Sequence, residues 1–298
     1  MLKALLGVIR VPFLLLAPLC VFAGSALALH EQGAFNGLVF SLCIVIALTA
    51  HSAVNALNEW HDFKTGLDSL TTRTPFNGGS GTLQAHPHFA PIALFIGIIM
   101  LLICMAAGIW LSMLTSPWLL LAGLVGLLIV TAYTPIITRH PLLCLIAPGL
   151  GFAALIMGGS YVVMGGHINL SLLLLVLASA MLLNNLLLVN QFPDITADAH
   201  SGRRTLPIVF DQHVSRQVVL AQFITSSLLL GLLAWHMANW ALLLAAALPL
   251  LGIHIFRGIG ASAQADPSAM LNAQRLTVLV NLVTPALISL LLSAPFWF

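Results

Sequence analysis

Apolar runs of roughly 20 residues recur from one end of this 298-residue chain to the other. That recurrence excludes most folds before any motif is considered. A helix rises about 1.5 Å per residue, so about 20 apolar residues cross a hydrocarbon layer ~30 Å thick. Inside lipid every backbone N–H and C=O must be paired within the protein, which leaves helices or closed barrels. Continuous runs of this length, without strict alternation, read as helices. They fall at about 11–29, 37–59, 90–115, 117–136, 141–165, 169–191, 215–236, 238–256 and 276–297. The expected fold is all-α: a polytopic membrane protein of nine transmembrane helices, one domain over residues 1–298. Only 6% of the residues are charged, against about 25% in a soluble domain.

The placement of those charges supports the span count. With the N-terminus inside, nine spans put the N-terminal segment and the connections near 60–89, 136–141, 192–214 and 257–275 on the inner side. These segments hold Lys3, Arg10, Lys64, Arg73, Arg139, Arg203, Arg204, Arg216, Arg257 and Arg275, which is every basic residue in the chain. The positive-inside rule then predicts a cytoplasmic N-terminus and an external C-terminus. The first run resembles a signal peptide, with Lys3 and Arg10 ahead of it and Ala26-Leu27-Ala28 near its end. It is long enough to span and is read as a retained helix. A net charge of +2 without a basic cluster argues against a nucleic-acid partner. The cysteines Cys20, Cys43, Cys104 and Cys144 sit far apart in apolar runs and read as small buried residues.

The acidic residues are scarce and clustered. Of six Asp and two Glu, three lie in Asn58-Glu59-Trp60-His61-Asp62-Phe63-Lys64-Thr65-Gly66-Leu67-Asp68. Asn58 and Asp62 share a face if the second helix continues past Trp60, and Gly66 permits a turn that returns Asp68 toward them. A second cluster repeats the spacing with Asn190, Asp194 and Asp198, followed by Ser201-Gly202-Arg203-Arg204-Thr205. Pro193 removes a backbone donor, so a helix break is expected near Phe192 with a fresh turn carrying both aspartates. Carboxylates repel a diphosphate directly, yet they hold Mg²⁺, which is bound by one or two carboxylates together with phosphate oxygens and water. Neighbouring Arg and Lys neutralise the remaining phosphate charge. Two such sets on one membrane face suit a substrate with a diphosphate head and a lipid-soluble tail. The competing reading is a secondary transporter with acidic gates, but that class keeps ionisable residues near the membrane midplane, and these spans hold only a few His and Asn there.

The first cluster resembles the first aspartate-rich motif of the UbiA superfamily of membrane prenyltransferases, in the form typical of its menaquinone-type branch. The segment from Asn190 to Leu206 resembles the second motif of that branch. Ala132-Tyr133-Thr134-Pro135, Gly149-Leu150-Gly151 and the pair Arg10 and Pro12 resemble weaker family elements. The resemblance implies nine helices with both motifs at the cytoplasmic mouth of a cavity. It implies Mg²⁺-dependent transfer of a prenyl group from a prenyl diphosphate to an aromatic acceptor such as 1,4-dihydroxy-2-naphthoate, with loss of CO₂ completing the substitution for that acceptor. On this resemblance Asp62, Asp68, Asp194 and Asp198 hold metal, Asp62 and Asp194 are the catalytic pair, and Asn58, Lys64, Arg73, Asn190, Arg203 and Arg204 bind diphosphate. Tyr133 and Asn185 are placed among the substrate contacts, and the membrane is expected to be the inner (plasma) membrane of a bacterium. Two departures stand out: Glu59 replaces the usual Asp, and the stretch after Pro135 lacks the family's R-G-x-G-E pattern. Hydroxybenzoate, homogentisate, haem or a glycerol phosphate lipid therefore stay open as acceptors.

Smaller features remain two-sided. Thr74–Thr82 is Gly-rich and reads either as a lid over phosphate or as a plain loop; it lacks a nucleotide P-loop's Lys-Ser/Thr. Asn184 and Asn185 either pack helices or line the cavity. His51 reads as a buried, satisfied histidine more readily than as a cavity residue. Among His61, His86, His88 and His200 nothing selects a general base, and Asp211 reads as a loop charge.

Overall fold

A computed structural model of the protein describes residues 2–71, 73–260 and 266–296. The middle of the connection expected at about 257–275, and residue 297 of the last apolar run, lie outside the described residues. Among the described residues 84% are helical and none forms a strand.

Among the described residues eight helices are long and apolar enough to cross a membrane: α1 (Val11–Gln32), α2 (Gly37–Thr65), α3 (Pro87–Leu114), α5 (Pro141–Val163), α6 (Leu170–His200), α7 (Asp211–His236), α8 (Trp240–Ile259) and α9 (Pro267–Ser293). The run expected at about 117–136 yields a shorter helix, α4 (Leu119–Ala132), of 14 residues. At 1.5 Å per residue that is about 21 Å. Pro135 disfavours the helical conformation of the residue before it, and the chain turns there, with the Thr138 N–H bonded to the Tyr133 carbonyl at 3.0 Å.

Local chemistry sets several helix starts. The Asn36 side chain accepts from the N–H groups of Leu38 and Val39 at 3.1 and 3.2 Å and opens α2. Asn169 does the same for α6 through Leu172, and Asp266 for α9 through Ser268 and Ala269. Each side-chain oxygen satisfies N–H groups that the first helical turn leaves unpaired.

One sequence expectation fails. The helix does not break near Phe192: α6 runs unbroken from Leu170 to His200 with Pro193 inside it. Phe192 and Val189 are fully buried in a core with Leu206, Ile255 and Met270. Packing of the turn that leads into Pro193 outweighs the loss of one backbone hydrogen bond. Both motif-bearing helices therefore project past their apolar runs.

Helix α2 packs along α3, α6 along α7, and α1 along α9. At the end opposite the motifs, Glu31 accepts hydrogen bonds from Tyr161 and Asn169 and ties α1 to α5 and α6. The helices surround an apolar cavity of about 570 Å³. A π-helical stretch, Gly149–Gly158, forms part of its wall. Its first N–H, that of Gly149, donates to the Asn184 side-chain oxygen Oδ1 at 2.8 Å.

Candidate functional site

The site is assembled at the mouth of this cavity. On α2, His51, Asn55, Asn58 and Asp62 stand at i, i+4, i+7 and i+11, a single helix face. Asn58 is held by Thr134, whose hydroxyl donates to its carbonyl oxygen at 2.9 Å. Gly66 ends α2 with φ 74°, a left-handed conformation that glycine adopts without a side-chain clash. The chain then re-enters a helical turn, Leu67–Leu70, that carries Asp68.

On α6, Asn190, Asp194 and Asp198 stand at i, i+4 and i+8. Gln274 from α9 is 2% exposed and donates to both Asn190 Oδ1 and Asn77 Oδ1 at 3.0 Å. Asn77 in turn donates to Asp194 Oδ1 at 2.9 Å. One amide chain thus connects the last helix, the Gly-rich segment and the second motif.

Arg203 joins the two motifs. Its Nη1 donates to Asp198 Oδ1 at 3.1 Å, and its Nη2 donates to Asp62 Oδ1. Burial by itself would lower the Arg203 pKa, but the Asp62 and Asp198 carboxylates outweigh it and hold it above the ordinary arginine value. Asp68 receives the Gln84 amide at 2.8 Å. Burial, followed by repulsion from Asp62, raises the Asp68 pKa above the usual carboxylate range.

The Gly-rich segment folds onto the site. Gly79 has φ 65°, and a Cβ there would stand 2.7 Å from Asp68 Oδ2, so only glycine fits against that carboxylate. Glu59 is buried and directed to this segment and not to the aspartates. It accepts from the Ser80 N–H at 2.5 Å and the Ser80 hydroxyl at 2.9 Å, with Arg10 Nε 4.0 Å away. Arg10 lines the cavity and lies over the Phe13 ring at 5.1 Å.

Each aspartate of the mouth therefore holds an internal donor: Arg203 for Asp62 and Asp198, Gln84 for Asp68, and Asn77 for Asp194. Among the described residues no three Asp, Glu, His or Cys side chains converge into a closed metal cage. That suits Mg²⁺, which takes only one or two carboxylates and completes its shell with phosphate and water. The donors are hard oxygens, and a guanidinium already places positive charge between Asp62 and Asp198. The residues fit the ion.

The remaining residues singled out by sequence are more scattered. Lys64 is exposed, as are Arg73, which donates to the Ser80 carbonyl, and Arg204, whose backbone N–H bonds to the Thr138 carbonyl at 2.9 Å. Tyr133 lines the cavity, with its hydroxyl 4.0 Å from Cys144 Sγ. Asn185 is fully buried away from the cavity wall and donates to the Val219 carbonyl at 2.9 Å, joining α6 to α7. Sequence reasoning did not single out Asn77 or Gln274. Asn77 lay within a segment noted only for glycine, and Gln274 lay in a helix with no motif around it.

Helices long and apolar enough to cross a membrane, set around an apolar cavity with the Asn58 and Asp62 face and the Asn190, Asp194 and Asp198 face at its mouth, define an integral membrane protein. The sequence pattern of the UbiA prenyltransferase family matches residues 17–279, and the chain belongs to that family. A 1,4-dihydroxy-2-naphthoate octaprenyltransferase from Bacillus subtilis (strain 168) is 29% identical over 192 residues, 62% of this chain and 59% of that protein. A protein of the same name from Haemophilus influenzae (strain ATCC 51907 / DSM 11121 / KW20 / Rd) is 30% identical over 203 residues, 65% of this chain and 64% of that protein. The matched stretch spans less than two thirds of either relative. The structure of a UbiA homologue from Archaeoglobus fulgidus bound to GPP and Mg²⁺ shares the fold: TM-score 0.67 at 14% identity, over 96% of this chain and 99% of that one.

Proposed function

We propose that the protein transfers a prenyl group from a prenyl diphosphate to an aromatic acceptor, 1,4-dihydroxy-2-naphthoate or a close relative, with Mg²⁺ bound. The observation that carries this reading is the meeting of Asp62 and Asp198, one from each motif, on Arg203 at the mouth of an apolar cavity of about 570 Å³. The names of the two curated relatives support the acceptor, and the GPP and Mg²⁺ of the solved homologue support the donor and the ion. In this reading α4, lengthened by its flanking turns, completes a ninth span. The Arg- and Lys-bearing end faces the cytoplasm, and the membrane is the plasma membrane of a bacterium.

Asp62, Asp68, Asp194 and Asp198 would hold Mg²⁺, which supplies positive charge against the departing diphosphate. Asn58, fixed by Thr134, and Asn190, fixed by Gln274, present amides at the level of the head group. Arg203 is free to turn to the diphosphate once its carboxylates are otherwise occupied, and Lys64, Arg73 and Arg204 surround the same mouth. The cavity wall excludes water from the allylic carbon. The bond from that carbon to the diphosphate oxygen breaks, and its electron pair leaves with the diphosphate. An electron-rich ring carbon of the acceptor forms the new C–C bond. The ring then loses CO₂, or a proton where no carboxyl group stands at that carbon, and regains aromaticity.

The test uses the purified protein in lipid nanodiscs with labelled prenyl diphosphate, Mg²⁺ and a panel of aromatic acceptors. Wild type is expected to form a Mg²⁺-dependent prenylated product, and Asp62→Asn and Asp194→Asn to lose it. No product with any acceptor overturns the transferase reading; full rates in both variants overturn the site.

A further inference from the structure

The mouth accounts for the head group, but two polar atoms deeper in the cavity have no partner among the described residues. His51 is 8% exposed and its Nδ1 makes no hydrogen bond. Asn281 is 2% exposed; its Nδ2 donates to the Thr277 carbonyl at 2.9 Å, which leaves Oδ1 as the atom without a partner. Both residues line the cavity. A buried polar atom left unpaired costs about 1–3 kcal/mol, so two such atoms lining one apolar cavity call for a ligand.

Their depth separates them from the diphosphate site. His51 precedes Asp62 by eleven residues on α2, about 16 Å along the axis, and Asn281 follows Gln274 by seven on α9, about 10 Å. The His51 ring is held edge-on to Phe152, with centroids 4.9 Å apart at 77°. This differs from the sequence expectation of a satisfied histidine.

Chemistry identifies the occupant. An amide oxygen only accepts, so Asn281 needs a donor. A prenyl tail is hydrocarbon and offers none. An aromatic acceptor carrying hydroxyl groups does, and its apolar ring suits the rest of the wall.

We infer that His51 and Asn281 are specificity-determining residues that bind the hydroxyl groups of an aromatic diol acceptor beneath the diphosphate site. The inference rests on the transferase reading for turnover, but not for binding. The experiment therefore has two arms, on the full chain in nanodiscs. The first measures equilibrium binding of 1,4-dihydroxy-2-naphthoate and its methoxy analogues without prenyl diphosphate. The second measures KM for each substrate. The variants are His51→Phe, which keeps the ring contact with Phe152, and Asn281→Leu, with His51→Gln and Asn281→Gln as conservative partners that replace either one if it fails to fold.

Each apolar variant is expected to weaken diol binding and raise the acceptor KM about tenfold, the loss of one hydrogen bond from a buried site. The prenyl diphosphate KM stays within about twofold on the same reasoning. Discrimination between diol and methoxy analogue narrows in the apolar variants and is partly kept in the Gln variants. Unchanged diol binding and unchanged discrimination overturn the assignment and mean that water alone satisfies the two atoms. A parallel rise of both KM values also overturns it, because it reports a collapsed cavity. Wild type that binds the diol and forms no product defeats the transferase reading and leaves the binding arm to decide this one.

Discussion

Replacing Arg203 by methionine isolates the contact that joins the two motifs. The Asp62 and Asp198 side chains are 9% and 5% exposed, and Arg203 itself 18%. Removing the guanidinium leaves two nearly buried carboxylates without their cation. Breaking a buried pair in this way costs about 3–5 kcal/mol. With an unfolding entropy of about 2.1 cal/mol/K per residue over a chain of this length, that is a fall of about 5–8 °C in thermal midpoint. The measurement is thermal unfolding by far-UV circular dichroism in detergent, with chelator and with excess Mg²⁺. A ligand at 100 times its Kd stabilises by about 2.7 kcal/mol. Wild type must surrender the Arg203 contacts to bind the ion, whereas the variant does not. Mg²⁺ is therefore expected to raise the midpoint more in Arg203→Met and to narrow the gap. Arg204→Met, on an exposed neighbour, should stay within about 0.5 kcal/mol of wild type. Equal stability of Arg203→Met and wild type in chelator, or a gap that Mg²⁺ leaves unchanged, would refute the reasoning.

Three further outcomes follow from the same geometry. The raised pKa of Asp68 means that the folded, metal-free protein holds its proton more tightly than the unfolded chain does. Its contribution is present below the unfolded carboxylate value and is lost as pH rises through the higher folded value; Asp68→Asn should flatten that part of the midpoint-against-pH curve in chelator. Gly79→Ala places a Cβ 2.7 Å from Asp68 Oδ2 at a positive φ, a backbone penalty of about 1–2 kcal/mol before the clash. It should raise the prenyl diphosphate KM and the protease sensitivity of Thr74–Thr82, with the acceptor KM unchanged. Gln274→Leu removes the donor to Asn190 Oδ1 and leaves Asn77 Oδ1 with the Thr74 hydroxyl alone, at about 1–3 kcal/mol for the unpaired oxygen; a lower midpoint and a higher prenyl diphosphate KM, read by calorimetry and steady-state kinetics, are the expected signs.

The legible part of the site was the part encoded within single helices. Asn58 and Asp62, and Asn190, Asp194 and Asp198, share faces because a helix returns to the same side every three to four residues, and that spacing is visible in a string of letters. Gly66 was legible for a similar reason, since an αL residue after a helix is most often glycine. Pro193 misled because its local preference was real but was outweighed by Phe192 and Val189 in a core whose other walls come from residues far along the chain. Gln274, Asn77, Thr134 and the Glu59–Ser80 contact had no local signal at all. The partners that tie them into the site lie between 21 and 197 residues away, so neither spacing nor composition marks them.

The sequence by itself determined the solvent of this protein. Apolar runs longer than a soluble core needs have one stable setting, because a backbone in lipid must pair its own polar groups. Only the tertiary structure decided which donors meet the carboxylates. It sent Glu59 to the loop and not to the aspartates, closed Arg203 onto Asp62 and Asp198, 141 and 5 residues distant, and left His51 and Asn281 facing a cavity without partners among the described residues. Those outcomes depend on which helices lie side by side, and that is set by packing summed over the whole chain, a quantity no single stretch of it carries.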